Sequence, residues 1–159
     1  MSRMPDRKLL IALGALLLIV LVALVFASKA EAPAPAEEVS LEARREALPQ
    51  NIELADTAEK RTLGLSGRAS IGDDYGMLFI FPEEDRHGFW MKDMQVPIDI
   101  VWIDGEGAVV HIEHELSPLT YPKVFQSPAP ARYVLETRAG YARDQGWGTG
   151  TLLDISAYD

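Results

Sequence analysis

Three ionisable side chains interrupt an otherwise aromatic and β-branched run, GFWMKDMQVPIDIVWID, between Gly88 and Asp104: Lys92, Asp93 and Asp99. One amine and two carboxylates are material for acid–base catalysis or for a charged ligand pocket. Read as a strand, Gly88–Lys92 puts Trp90 and Lys92 on one face and Phe89 and Met91 on the other. Trp beside Lys suits a pocket for a small anion or a sugar. The same Trp also suits core packing with its N–H satisfied. Asp93 sits at the break after Lys92, where it either pairs with Lys92 or faces a ligand. Asp99 lies in IDIVWI and shares its face with Val101 and Ile103, so partial burial is expected. A buried carboxylate needs partners, with Arg61, Arg68 and backbone amides available. Glu136, in Tyr133–Glu136, is the further acid that could join this group. Trp90, Lys92, Asp93, Asp99 and Glu136 are therefore the candidate ligand-binding residues, and no catalytic residue is assigned.

Other combinations carry less chemistry. His111, Glu113 and His114 resemble a metal cluster, but the spacing is not that of a helical His-Glu-x-x-His site. On a strand His111 and Glu113 share a face and His114 points away, so no metal site is expected. There is no cysteine, which excludes disulfides and thiolate chemistry. No Gly-x-Ser-x-Gly turn and no phosphate-binding glycine loop occurs, so no cofactor is expected.

The elements that must hold these residues read as short strands. Asn51–Ala55 alternates like a strand. Asp56 resembles an N-cap with Glu59 as its capping-box partner, for a helix over Thr57–Leu63 that ends at Gly64. Gly76–Phe81 and Gly88–Lys92, around the polar turn Pro82–His87, predict a hairpin. Ile98–Ile103 and Ala108–Glu113 predict a second, because Asp104-Gly105 is a strong turn signal. Leu116–Ala131 holds four prolines and reads as a long loop of the kind that is functional or wraps a surface. Tyr133–Glu136 and Thr151–Ile155 complete about seven strands, and Ala139–Asp144 suits a helical turn. The fold expected is mainly β: a small antiparallel barrel-like or strongly curled sheet with one short helix, preceded by a single N-terminal transmembrane helix.

Leu9–Phe26 supplies that helix, with 18 uncharged residues in a row. At ~1.5 Å per residue they rise ~27 Å, close to the ~30 Å hydrocarbon core. Arg3, Arg7 and Lys8 before it place the N-terminus in the cytoplasm and the rest outside. The alternative is a signal peptide cleaved near Ala27 or Ala30, leaving the protein secreted. Residues 1–29 are thus a stub and anchor, 30–38 a Pro/Ala/acidic linker, and 39–159 the extracytoplasmic domain. From Glu31 onward the chain carries 11 basic and 23 acidic residues, a net of −12. So acidic a body repels phosphate backbones, and no nucleic-acid partner is expected.

Several motifs match one family in order. Ala55-Asp56-Thr57 with Arg61, Gly64-Leu65 and Arg68 opens the set. Gly76–Phe81, Phe89-Trp90-Met91-Lys92 and Pro97–Ile100 form its centre, and Tyr133–Glu136 with Ala139-Gly140 closes it. The pattern resembles the DUF192 family of small β-rich prokaryotic domains, often exported or membrane-anchored. The resemblance covers roughly residues 51–155. The chain departs from it at Ser66, at Asp93-Met94 and at Thr151. The family implies fold and location and brings no settled activity. Three readings follow: a binding or accessory module of the cell envelope that takes a small ligand or an envelope protein; a small hydrolase or lyase using Asp93, Asp99 and Lys92; or a structural docking domain.

Overall fold

The computed structural model describes residues 44–158. Strand β4 (Ile98–Ile103) is buried along its whole length, because its sequence is apolar at both parities. Ile98, Ile100 and Trp102 enter one core, and Val101 and Ile103 enter another. A strand with two apolar faces needs a cover on each side. The sheet around it runs β1 (Asn51–Ala55), β2 (Tyr75–Asp85), β7 (Ala131–Arg138), β4, β5 (Val109–Leu116). Neighbours are antiparallel except β1 and β2, which are parallel and joined through helix α1 (Ala58–Leu63).

One face is covered by a two-stranded ribbon, β3 (Gly88–Trp90) with β6 (Val124–Gln126), whose Phe89 and Phe125 point inward. Phe89 meets Phe79 and Trp102 edge to face, at ring-centre distances of 4.9 and 5.9 Å. The other face is covered by helix α2 (Tyr141–Asp144) and the C-terminal segment, through Tyr141, Trp147, Leu153 and Ile155.

Asp99 fastens that second cover. It is fully buried, and its Oδ1 accepts hydrogen bonds from the Glu115 N–H at 2.8 Å and the Gly140 N–H at 3.0 Å. Its Oδ2 accepts one from the Ala142 N–H at 3.0 Å. Gly140 adopts a left-handed conformation at the start of α2 and, having no side chain, can offer no cap. The Asp99 carboxylate supplies the missing acceptor from a neighbouring strand. Of the partners open from sequence, backbone amides are the ones used. Arg68 is committed to Glu53 and Tyr75, and Arg61 to the carbonyls of Asp56 and Ile80.

Several expectations are corrected. The sheet is open rather than a barrel: β1 and β5 are its two ends and do not pair. A barrel wall alternates apolar and polar along each strand, which β4 does not. Strands β2 and β3 form no hairpin. Strand β2 continues through Pro82 to Asp85 and pairs with β7, while β3 pairs with β6 inside the proline-rich segment. That segment is therefore not all loop. The described residues hold two short α-helices, not one. The cap of α1 is Thr57, whose extended backbone lets Oγ1 accept from the Lys60 N–H at 3.3 Å. Asp56 pairs with the Lys60 ammonium instead. Residues 151–155 contribute isolated bridges, Leu152 to Ala108 and Leu153 to Glu46, rather than a strand. The Asp-Gly turn does join β4 to β5. The expected anchor, residues 9–26, lies outside the described residues, and among these no helix is long and apolar enough to cross a membrane.

The role of Asp99 has a measurable consequence. Asp99→Asn keeps the shape but removes the charge and one acceptor from its three backbone N–H donors. At ~1.5–3 kcal/mol for a hydrogen bond to a charged group, a loss of about 3 kcal/mol is expected in urea unfolding. Asp99→Ala should cost more. A change below ~0.5 kcal/mol for Asp99→Asn, the range of an ordinary surface substitution, would overturn the assignment.

Candidate functional site

The site is built on the face of the sheet that Asp99 does not reach. Along β7, Val134 and Glu136 point to one side and Tyr133, Leu135 and Thr137 to the other. In register, Asp99 lies beside Thr137, and Ile100 lies beside Glu136. The two buried acids of the central strands therefore face opposite ways.

Glu136 has apolar neighbours on both flanking strands, Met77 on β2 and Ile100 on β4. The end of α1 closes over it. Gly64 has a φ of +52°, and a Cβ there would lie 3.5 Å from Glu136 Oε2 and 3.4 Å from Phe79 Cζ. Oε2 is buried and has no hydrogen-bond partner. Burial, the largest influence, pushes the carboxyl up to about 8, while the Leu65 backbone amide and the Arg68 charge pull the other way. Glu136 is therefore largely protonated at neutral pH.

This carboxyl lines a cavity of 340 Å³ between α1 and the sheet. Phe79, Phe81, His87, Phe89 and Trp90 contribute aromatic walls, and Arg61 stands at one side. The Phe81 ring stacks on His87 at 3.5 Å, and the Arg61 guanidinium lies 5.2 Å from its centre. Burial of His87 lowers its pKa, so it is neutral at physiological pH. Outside the cavity lies a second space of 520 Å³, bounded by Glu59, Lys92 and Asp93 and sharing Thr62, Leu63 and Trp90 with the first. Trp90 lines both spaces, 49% exposed, with its ring edge-on to Tyr121.

The structure thus brings together four of the five sequence candidates. Glu136 is in the inner cavity, Lys92 and Asp93 are at the outer one, and Trp90 touches both. Asp99 stands apart, on the far face of β4 with its oxygens bound by backbone amides. An acid–base group of Lys92, Asp93 and Asp99 is not assembled. Sequence reasoning missed Arg61 and the aromatic set Phe79, Phe81 and His87 as pocket residues. A signal was present, since Arg61 and Gly64-Leu65 belong to the motifs matched in order, but their meeting with Glu136 depends on tertiary packing. Among the described residues no cluster of three or more His, Cys, Asp or Glu side chains could hold a metal ion.

The Glu136 environment predicts a pH dependence of stability. Its folded pKa of about 8 lies above the ordinary 4.5. The stabilising contribution is therefore complete below about pH 4.5, declines by up to ~1.4 kcal/mol per pH unit as pH rises, and levels off above about pH 8, where both states are ionised. Glu136→Gln removes this titration. Urea unfolding should find the variant within about 1 kcal/mol of the parent near pH 5 and about 3–5 kcal/mol more stable near pH 9. Parallel stability curves for the two proteins would contradict a neutral buried acid.

Comparison with known proteins adds the following. The DUF192 family model, described as Uncharacterized ACR, matches residues 39–155. A solved structure from Sinorhizobium meliloti 1021, described as a candidate transcription regulator, is 33% identical. Its TM-score is 0.60, over 62% of this chain and 76% of that one. A protein of unknown function from Novosphingobium aromaticivorans DSM 12444 is 30% identical, with a TM-score of 0.59 over 62% of this chain and 70% of its own. No curated protein matches the chain. With the family model spanning nearly all of the β-rich part, this chain belongs to the DUF192 family.

Proposed function

We propose that this protein is a small-ligand binding module displayed outside the cytoplasmic membrane. The observation that carries the binding reading is the buried, partnerless oxygen of Glu136 at the base of an aromatic-walled cavity. A buried polar atom without a partner costs ~1–3 kcal/mol, and a ligand that supplies the hydrogen bond recovers it. Concave, mostly apolar pockets with few polar groups are the usual form of a small-molecule site. The separation of Asp99 from Lys92 and Asp93 removes the support for a hydrolase or lyase built on those three. The Sinorhizobium relative is described as a candidate transcription regulator; the net charge of −12 after residue 30 argues against a nucleic-acid partner here. A docking domain is a second reading, favoured by the exposed Leu119, Tyr121 and Val124 on the proline-rich segment.

Display outside the membrane rests on Leu9–Phe26 and the basic residues before it. Secretion after signal cleavage is the alternative, and both export the domain.

Two measurements test this proposal. In a melting-temperature screen with small aromatic compounds, a ligand of this pocket raises the transition increasingly with its concentration, the stabilisation reaching ~2.7 kcal/mol at a hundredfold excess over Kd. Trp90→Ala should reduce the effect, while the same shift in that variant would move the site elsewhere. Protease added to intact spheroplasts should remove the domain and spare the N-terminus. A protected domain would exclude outward display.

A further inference from the structure

The ligand class can be narrowed from the charges around Glu136, an inference that rests on the pocket being a binding site. The carboxyl is walled by Met77 and Ile100 on its neighbouring strands, and neither carries charge. Asp99, on the same strand as Ile100, faces away. The cation whose field reaches Glu136 is Arg68, and it is spent on Glu53 and Tyr75 at 2.8 Å each. Arg61, from α1, lines the cavity but lies over Phe81, with its Nη1 donating to the carbonyls of Asp56 and Ile80. His87 is the other titratable group of the inner cavity, and its lowered pKa keeps it uncharged in the neutral range. In the outer space Lys92 is accompanied by two acids, Glu59 and Asp93. The buried acid thus has no cation of its own, and the chain beyond residue 30 is strongly negative.

The geometry points to a small organic cation as the ligand: an ammonium group on an aromatic or apolar stem, its charge against Glu136 and its stem along Phe79, Phe89 and Trp90. Aromatic side chains accept such a stem, and the half-exposed Trp90 ring at the mouth attracts a cation by its π-face. Binding carries a proton balance. The Glu136 O–H bond breaks, its proton leaves to solvent, and the ligand keeps its ammonium proton. The pair inside the cavity is then carboxylate and ammonium, and one proton is released per ligand bound.

The probes are phenethylamine, its neutral analogue 2-phenylethanol and the anionic phenylacetate, titrated calorimetrically into the full-length protein in detergent. Phenethylamine should bind more tightly than the other two. Its affinity should rise more than about tenfold between about pH 6 and pH 8, because the ionised fraction of a free acid grows tenfold per pH unit below its pKa. Repeating the titration in buffers of different ionisation enthalpy should give about one proton released at the lower pH. Glu136→Gln should remove both the pH slope and the release, with its fold checked by urea unfolding at that pH. Trp90→Ala, which alters a half-exposed side chain, should weaken binding and leave the slope. Preference for phenylacetate or phenylethanol would overturn the cation while keeping the pocket, as would phenethylamine binding unchanged in Glu136→Gln. Absence of binding by all three probes would sink the pocket reading and this inference together.

Discussion

The fully buried carboxylate of Asp99, accepting three backbone N–H groups, is the contact on which the rest of the structure depends. It joins the middle of the sheet to the end of β5 through Glu115 and to the start of α2 through Gly140 and Ala142. A four-residue helix has almost no stability of its own, since nucleation is unfavourable and every N-terminal donor is an orphan. Here the acceptor comes from a central strand, so the helix is fixed where its Tyr141 and Ala142 cover Leu78, Val101 and Leu135. The sheet gains its second apolar cover through a charge.

The opposite arrangement one register position away makes the site. Glu136 sits beside Ile100 as Thr137 sits beside Asp99, equally central and nearly as buried. Asp99 meets amides that stabilise its charge. Glu136 lies between Met77 and Ile100 on the neighbouring strands, apolar company that favours its neutral form. Strand alternation alone sends the two acids to different faces, and what covers each face decides whether the acid becomes a fastener or an unsatisfied group in a cavity. Buried polar atoms without partners are rare in native proteins, so the second outcome marks a place where structure has been left incomplete.

The ribbon of β3 and β6 links this chemistry to the proline-rich segment. Gly88 lets the two strands approach closely, as a Cβ there would come within 2.8 Å of Val124. The pairing turns Phe89 and Phe125 into the core and leaves Trp90 and Val124 on the outside. Trp90 thereby comes to line both the inner cavity and the outer space with Lys92 and Asp93. A side chain suited by composition to core packing is on the surface because its strand is two-sided and the other side holds the core.

Local patterns were sufficient for much of this. The strand at Asn51–Ala55, the turn at Asp104-Gly105 and the two-sided character of Gly88–Lys92 follow from alternation and turn chemistry, which act within a few residues. The apolar company of Asp99 likewise foretold its burial and its need for backbone or basic partners. The sequence motifs also carried the family. What tertiary structure alone decided was pairing and enclosure. The parallel pairing of β1 with β2, the exchange of a β2–β3 hairpin for β2–β7 and β3–β6, and the open sheet all depend on contacts between residues far apart in the chain. No local pattern encodes these. The site follows the same division: Trp90, Lys92 and Glu136 were legible as residue types able to bind. Only packing could set Glu136 under Gly64, place Arg61 and Phe81 beside it, and turn Asp99 to the other face of the sheet.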